Sequence, residues 1–220
     1  MKSHDLHSWD VTPSQARAIQ ERFGSRVIRR DMFRSIERVC GVDVGFRGER
    51  AVAACVVLSF PDLEILDHSV RSAKVTFPYI PGLLSFREIP CLLPALEALS
   101  IDPDLIIADG QGIAHGRGMG LASHLGLLVD TPTIGCAKSR LMGRYTEPGA
   151  EKGDWEYLYG DDTVIGAVVR TRRSVKPLFV SIGHGIALHS AVFYVLGCCR
   201  KYRITEPVRL AHRLAGGGVI

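Results

Sequence analysis

Between residues 39 and 75 the chain holds three successive β-like runs, Val39–Phe46, Ala51–Phe60 and Glu64–Val75. Gly-rich and Pro-Asp turns separate them, the pattern of an antiparallel meander. Thr12-Pro13-Ser14-Gln15 precedes this meander with a helix start, a hydroxyl to cap free amides and Gln at the capping-box position. The helix it opens is expected to run to about Arg30. After the meander, Leu83–Leu99 reads as a helix that Pro90 and Pro94 must kink or divide. Leu105–Ala108 is a short continuous apolar run ending in Asp109, the signature of a buried strand. The Gly-rich stretch Gly110–Gly120 leads into a helix from Leu121, and Thr133–Ala137 is another short strand. Trp155–Tyr159 and Val164–Arg170 flank a hairpin turn, Leu178–Ile182 adds a strand, Ala187–Cys199 a helix, and Thr205-Glu206-Pro207 opens a last helix through His212. This order argues for one α/β domain over residues 1–220, a mixed central β-sheet flanked by helices, with 214–220 as a flexible tail.

The 46% apolar fraction supports a buried core, and the longest largely apolar run, Ala51–Phe60, is of strand length, well short of a membrane span. The first ten residues lack an apolar export core, and six cysteines without a C-x-x-C pair read as reduced, buried residues. A cytoplasmic location and no membrane partner are expected. Charge is uneven. Residues 51–169 carry 8 Lys/Arg against 15 Asp/Glu, and residues 170–220 carry 9 against 1. A basic quarter beside an acidic middle suits a polyanion held near a cation-binding centre, and equally an ordinary solvated face.

Three carboxylates carry the chemical argument. Asp43 sits inside an apolar strand, where a carboxylate is costly unless it is paired or binds a metal. Asp109 ends a second buried strand, facing the crevice of an α/β sheet, and Glu88 lies in the intervening helix. Each alone also fits a turn, a cap or a salt bridge. Jointly they favour an oxygen-only site for Mg²⁺, with Mn²⁺ as a substitute. No H-E-x-x-H or Cys/His finger spacing supports zinc, and the Gly-rich stretch lacks a G-K-[ST] ending, so its glycines suit close approach of backbone to a ligand. Phe77-Pro78-Tyr79-Ile80-Pro81-Gly82 braces an aromatic between prolines. Such a stiff tip suits a wedge entering a base step, or a proline-fixed connection with Tyr79 packed inward. Lys138 follows a strand and can meet a scissile phosphate as a point charge, or stand as one more surface lysine.

These motifs together resemble the endonuclease V family of deoxyinosine repair nucleases. The matching stretches are Gly41-Val42-Asp43, Phe77 to Gly82, Phe86-Arg87-Glu88, Asp109-Gly110-Gln111-Gly112, Ala122-Ser123-His124, Pro132-Thr133-Ile134-Gly135, Ala137-Lys138-Ser139-Arg140, Ser181 with His184, and Glu206-Pro207 followed by Arg209-Leu210-Ala211-His212. They follow family order from about residue 10 to 213. The resemblance implies an RNase H-like fold and a Mg²⁺-dependent endodeoxyribonuclease that recognises hypoxanthine formed by adenine deamination. It implies hydrolysis of the second phosphodiester bond 3′ to the lesion, leaving 3′-hydroxyl and 5′-phosphate ends. Carried over by motif, Asp43 and Asp109 bind the metal and Glu88 supports it, while Lys138 and His212 position water and stabilise the phosphorane. Pro78, Tyr79, Ile80, Pro81 and Arg87 contact DNA, with Tyr79 as the wedge. Gly82, Leu83, Leu84, Gly110, Gln111, Gly112 and His115 form the base pocket. The implied partner is DNA containing deoxyinosine, or RNA containing inosine, acted on by a monomer. The alternatives are an inosine-binding protein with a weak nuclease site and an RNase H-like nuclease acting on RNA or structured DNA. Two positions depart from the family pattern: Gly116, where Pro is usual, and His189, where an acidic or small polar residue is commoner.

Overall fold

A computed structural model describes residues 1–220. Thr12 caps α1 (Pro13–Gly24) through the reciprocal bonds of a capping box with Gln15. The helix stops at Gly24, short of the expected Arg30. From there the chain turns to pair elsewhere: the Ile28 amide donates to His184 Nδ1 and its carbonyl accepts from Gly185.

The meander forms as β1 (Arg38–Arg47), β2 (Arg50–Ser59) and β3 (Ile65–Lys74), paired antiparallel. Helix α2 (Leu84–Glu97) then carries the chain back to β4 (Leu105–Ala108), which lies parallel to β1. Helix α3 (Leu121–Val129) leads to β5 (Thr133–Ala137), parallel to β4. The hairpin of β6 (Trp155–Gly160) and β7 (Thr163–Val169) joins through β8 (Leu178–His184), which pairs antiparallel with β5. The result is one eight-stranded mixed sheet in the order β3-β2-β1-β4-β5-β8-β7-β6, followed in sequence by α4 (Leu188–Gly197) and α5 (Glu206–Ala215). The expected RNase H-like α/β architecture is present.

Strand alternation assigns the two faces. Cys40, Val42, Val44, Ile106 and Ala108 pack on one side with the apolar faces of α2 and α3. Val39, Leu105 and Ile107 turn to the other side, in the cluster that takes in Ala191, Val192 and Val195 of α4. On that same side Ala54, Val56 and Leu58 meet Leu210, Ala211 and Ala215 of α5. All four residues of β4 have no exposed surface, so this strand is buried on both sides.

Two expectations are corrected here. Helix α2 is not divided by Pro90 and Pro94. These prolines lie four apart on the more exposed side of the helix, away from buried Ile89, Leu92 and Leu96. At the C-terminus, Leu214 and Ala215 belong to α5 rather than to a tail. The residues beyond are tied back: Gly217 and Gly218 amides donate to Leu214 and Arg213 carbonyls, and Arg47 donates to the Gly216 carbonyl at 2.6 Å. All six cysteines are free and buried, and no helix is long and apolar enough to cross a membrane.

Candidate active site

Gly41, Asp43 and Gly45 alternate onto one face of β1, the face that α5 covers. A Cβ on Gly41 would stand 2.0 Å from the Pro207 carbonyl carbon, and one on Gly45 2.9 Å from the Ala215 oxygen. The two glycines therefore let α5 lie directly on the strand, and the helix delivers His212 Nδ1 to Asp43 Oδ2 at 2.6 Å. The parallel register Val42↔Ala108 sets Asp43 beside the end of β4, where Asp109 emerges. Lys138, just past β5, forms an ion pair with Asp109. Arg203 secures that lysine's backbone, donating to the Lys138 and Pro177 carbonyls at 2.7 Å each.

Glu88 comes from α2, on the opposite face of the sheet, and is buried. Burial first, then the negative charges of Asp43 and Asp109, push its carboxyl up to about 8. Burial likewise raises Asp43, against the lowering effect of its bond to His212. No three His, Cys, Asp or Glu side chains enclose a common point by themselves, because Asp43 and Asp109 are turned to His212 and Lys138. The donor set still fits a hard divalent cation. Three carboxylates supply only oxygen, and the mutual repulsion that raises Glu88 is charge such a cation would neutralise.

A cavity of about 400 Å³ opens against this cluster, with Asp109 and Lys138 in its wall. Tyr79, Ile80, Pro81 and Gly82 border it, as do Leu84, Gly110, Gln111 and His115. Tyr79 is 69% exposed, so it projects rather than packing inward. Phe77 roots the tip by burying itself with Ala16, Leu83 and Phe86. Arg87 braces the tip: it donates to the Phe77 carbonyl at 2.9 Å and stacks over Phe46 at 4.5 Å. Leu83 is displaced from its expected place, being wholly buried in the cluster under the tip. Pro78 is exposed at the tip outside the cavity wall.

Gly112 stands behind the wall. A Cβ there would lie 1.9 Å from the Ile182 carbonyl oxygen, and one on Gly135 2.3 Å from the Gly112 nitrogen. These glycines admit backbone to backbone rather than backbone to ligand, and so seat the Gly-rich loop directly on β5. Gly82 has φ +79°, and its carbonyl accepts from Gln20 Nε2, His115 Nε2 and Arg117 Nη2, each at 3.0 Å. His115 receives the Arg117 amide at Nδ1, so its proton sits on Nε2; burial and the Arg117 charge hold its pKa below the ordinary value.

Gln20, Arg117, Ser85 and Arg140 are parts of this site that sequence reasoning missed. Gln20 left one signal, a polar residue buried on the same face of α1 as Ala16 and Phe23. The two departures from the family pattern are benign in space. A Cβ on Gly116 meets nothing within 4 Å, and exposed His189 packs edge-on to Trp155 at 5.4 Å.

Comparison with known proteins places these features in context. Residues 21–213 match the sequence profile of endonuclease V. Endonuclease V of Roseiflexus sp. (strain RS-1) is 49% identical over 212 residues, covering 96% of each chain. The crystal structure of endonuclease V from Streptomyces avermitilis superposes with TM-score 0.91 at 42% identity, over 96% of this chain and 94% of that one. Ciona intestinalis endonuclease V, solved with a 23mer DNA containing an inosine followed by a ribo-adenosine, gives TM-score 0.84 at 32% identity, over 94% and 98%.

Proposed function

Because this chain belongs to the endonuclease V family, we propose that it is a DNA repair endonuclease that recognises deoxyinosine and nicks the same strand at the second phosphodiester bond 3′ to it, with Mg²⁺ as cofactor and 3′-hydroxyl and 5′-phosphate products. One observation carries this reading: a single cavity is bordered by the projecting Tyr79 tip and by the Asp109–Lys138 pair. A base turned out of the helix into that cavity leaves its own strand lying against the carboxylates. Turning it out costs a few kcal/mol, least where pairing is already weak, as with inosine. Tyr79, held stiffly between prolines, fills the space the base vacates.

Asp43 and Asp109, with Glu88 in support, would hold the cation. Once bound, the cation would neutralise developing charge and lower the pKa of a water bound to it toward neutrality. The chain's own groups do the rest. A carboxylate accepts from His212 Nδ1, which fixes the imidazole and leaves Nε2, on an exposed side chain, as the atom that exchanges a proton with water. Lys138 brings a positive charge to the cavity wall, where the phosphorane's equatorial oxygens develop charge. Arg203 fixes where that charge stands.

Inosine in RNA is the second reading. It is favoured by the ribo-adenosine that follows inosine in the DNA bound by the Ciona relative. The protein acts as a monomer on either substrate.

Asp43→Ala tests the assignment. Binding to an inosine duplex is retained while nicking falls at least about a hundredfold, the scale on which an electrostatic contributor to the transition state is lost. A variant that nicks at the wild-type rate overturns the carboxylate assignment.

A further inference from the structure

The tip that projects Tyr79 has little backbone bonding of its own. Two of its four residues, Pro78 and Pro81, lack an amide hydrogen, and one backbone bond closes it, from the Leu83 amide to the Ile80 carbonyl at 2.9 Å. The prolines restrict φ within the tip, but they do not set how the tip stands on the domain. That is decided where the chain enters and leaves it.

At the entry, Phe77 is buried and its carbonyl accepts from Arg87 Nη1 at 2.9 Å. At the exit, a closed ring of hydrogen bonds holds Gly82. Arg117 Nη2 donates to the Gly82 carbonyl at 3.0 Å, and Arg117 Nε donates to Gln20 Oε1 at 2.7 Å. Gln20 Nε2 donates to the same Gly82 carbonyl and to the Met119 carbonyl, at 3.0 Å each. Both bonds from Arg117 come from a charged donor, the stronger kind. Gln20 is 1% exposed, and the helix that carries it, α1, is seated under the tip by Ala16, which packs with Phe77, Leu83 and Phe86. Gln20 stands in the cavity wall, whereas Arg117 is half-buried outside it.

We propose that Arg117, acting with Gln20, is a positioning residue for opening the duplex: the ring fixes the exit of the tip, so that Tyr79 meets a base step as a stiff wedge. This rests on the reading of the tip as the part that enters inosine-containing DNA. Unstacking a paired base resists the wedge. Gly82, at φ +79°, is a natural pivot, and a tip free to turn about it would yield instead of parting the step. Where the base is already unpaired the resistance is absent, and the site works without the ring.

Arg117→Ala is the probe, because it removes the guanidinium and keeps the backbone amide that donates to His115 Nδ1. With Mg²⁺ present, kcat/KM is compared on two duplexes, one with inosine opposite cytosine and one with inosine inside a short non-complementary bubble. Arg117→Ala lowers the value on the paired duplex about tenfold or more, the scale of hydrogen bonds lost from a charged donor, and leaves the bubble nearly unchanged. Arg117→Lys, which keeps one charged donor, shows the same pattern at smaller size. A double variant reveals the route of the effect. In a Tyr79→Ala background, Arg117→Ala has little further effect on the paired duplex.

Equal losses on the paired and bubble substrates, as a general loss of fold or a direct phosphate contact gives, overturn the proposal. So do unchanged cutting of the paired duplex by Arg117→Ala, losses that multiply in the double variant, or wild-type protein that cuts only one of the two substrates. Wild-type protein that cuts neither removes the inosine reading itself.

Discussion

Glu88 shows how much of this site is electrostatic stress held by the fold. Its carboxyl is raised from 4.5 to about 8 by burial and by the two aspartates, so the folded chain binds this proton more firmly than the unfolded chain does. Stability of the metal-free protein is therefore contributed with Glu88 protonated, and it declines as pH rises from about 4.5 to about 8. A divalent cation requires the ionised form and reverses the trend. Calorimetric melting with and without Mg²⁺ at about pH 6 and pH 8.5 checks this: the gain from Mg²⁺ is larger at the higher pH. In Glu88→Gln the two gains converge. Equal gains in the wild-type protein would show that Glu88 does not share the cation's charge. The tip obeys a simpler rule, since Tyr79 projects because Phe77 beside it is buried and Arg87 holds the Phe77 carbonyl.

Among the elements, the contact of α5 with β1 matters most to the site, and two glycines set it. Gly41→Ala would place a Cβ 2.0 Å from the Pro207 backbone, which has no flexible end to yield. The helix must shift and His212 must leave Asp43. Overpacking of this kind costs about 1–3 kcal/mol, so denaturant unfolding reports that loss while nicking falls with it. Full stability and full activity in Gly41→Ala would mean that α5 does not need this close seat. The same contact shows where sequence reading runs out. The meander, the Thr12 capping box and the strand ending at Asp109 rest on neighbouring residues, so they were legible. That α5 lies on the Asp43 face was not, because Gly41 and Pro207 are far apart in sequence. Gln20 and Arg117 reach Gly82 across similar distances, and no local pattern announces a carbonyl with three donors. Leu83 and Leu84 are adjacent and equally apolar, yet only Leu84 faces the cavity. Of the kink or division expected in α2, division does not occur: the helix runs through both prolines, which sit on its more exposed side.

Across the whole molecule, the uneven charge seen in the sequence acquires a place. The basic C-terminal quarter supplies Arg203, which braces Lys138, and Arg209, stacked on Tyr202 at 4.7 Å along the helix that carries His212. Asp109, a carboxylate of the middle segment, pairs with that same Lys138 in the cavity wall. If the proposed function holds, binding of the phosphate strand weakens as salt is raised. One assay tests the proposed reaction directly. A duplex with a single inosine, end-labelled on that strand, is incubated with Mg²⁺ or with EDTA beside the matched adenine duplex. A nick at the second phosphodiester bond 3′ to inosine, present only with Mg²⁺ and absent from the adenine duplex, is the expected result. Equal cutting of the two duplexes, or undiminished cutting in EDTA, would contradict the account.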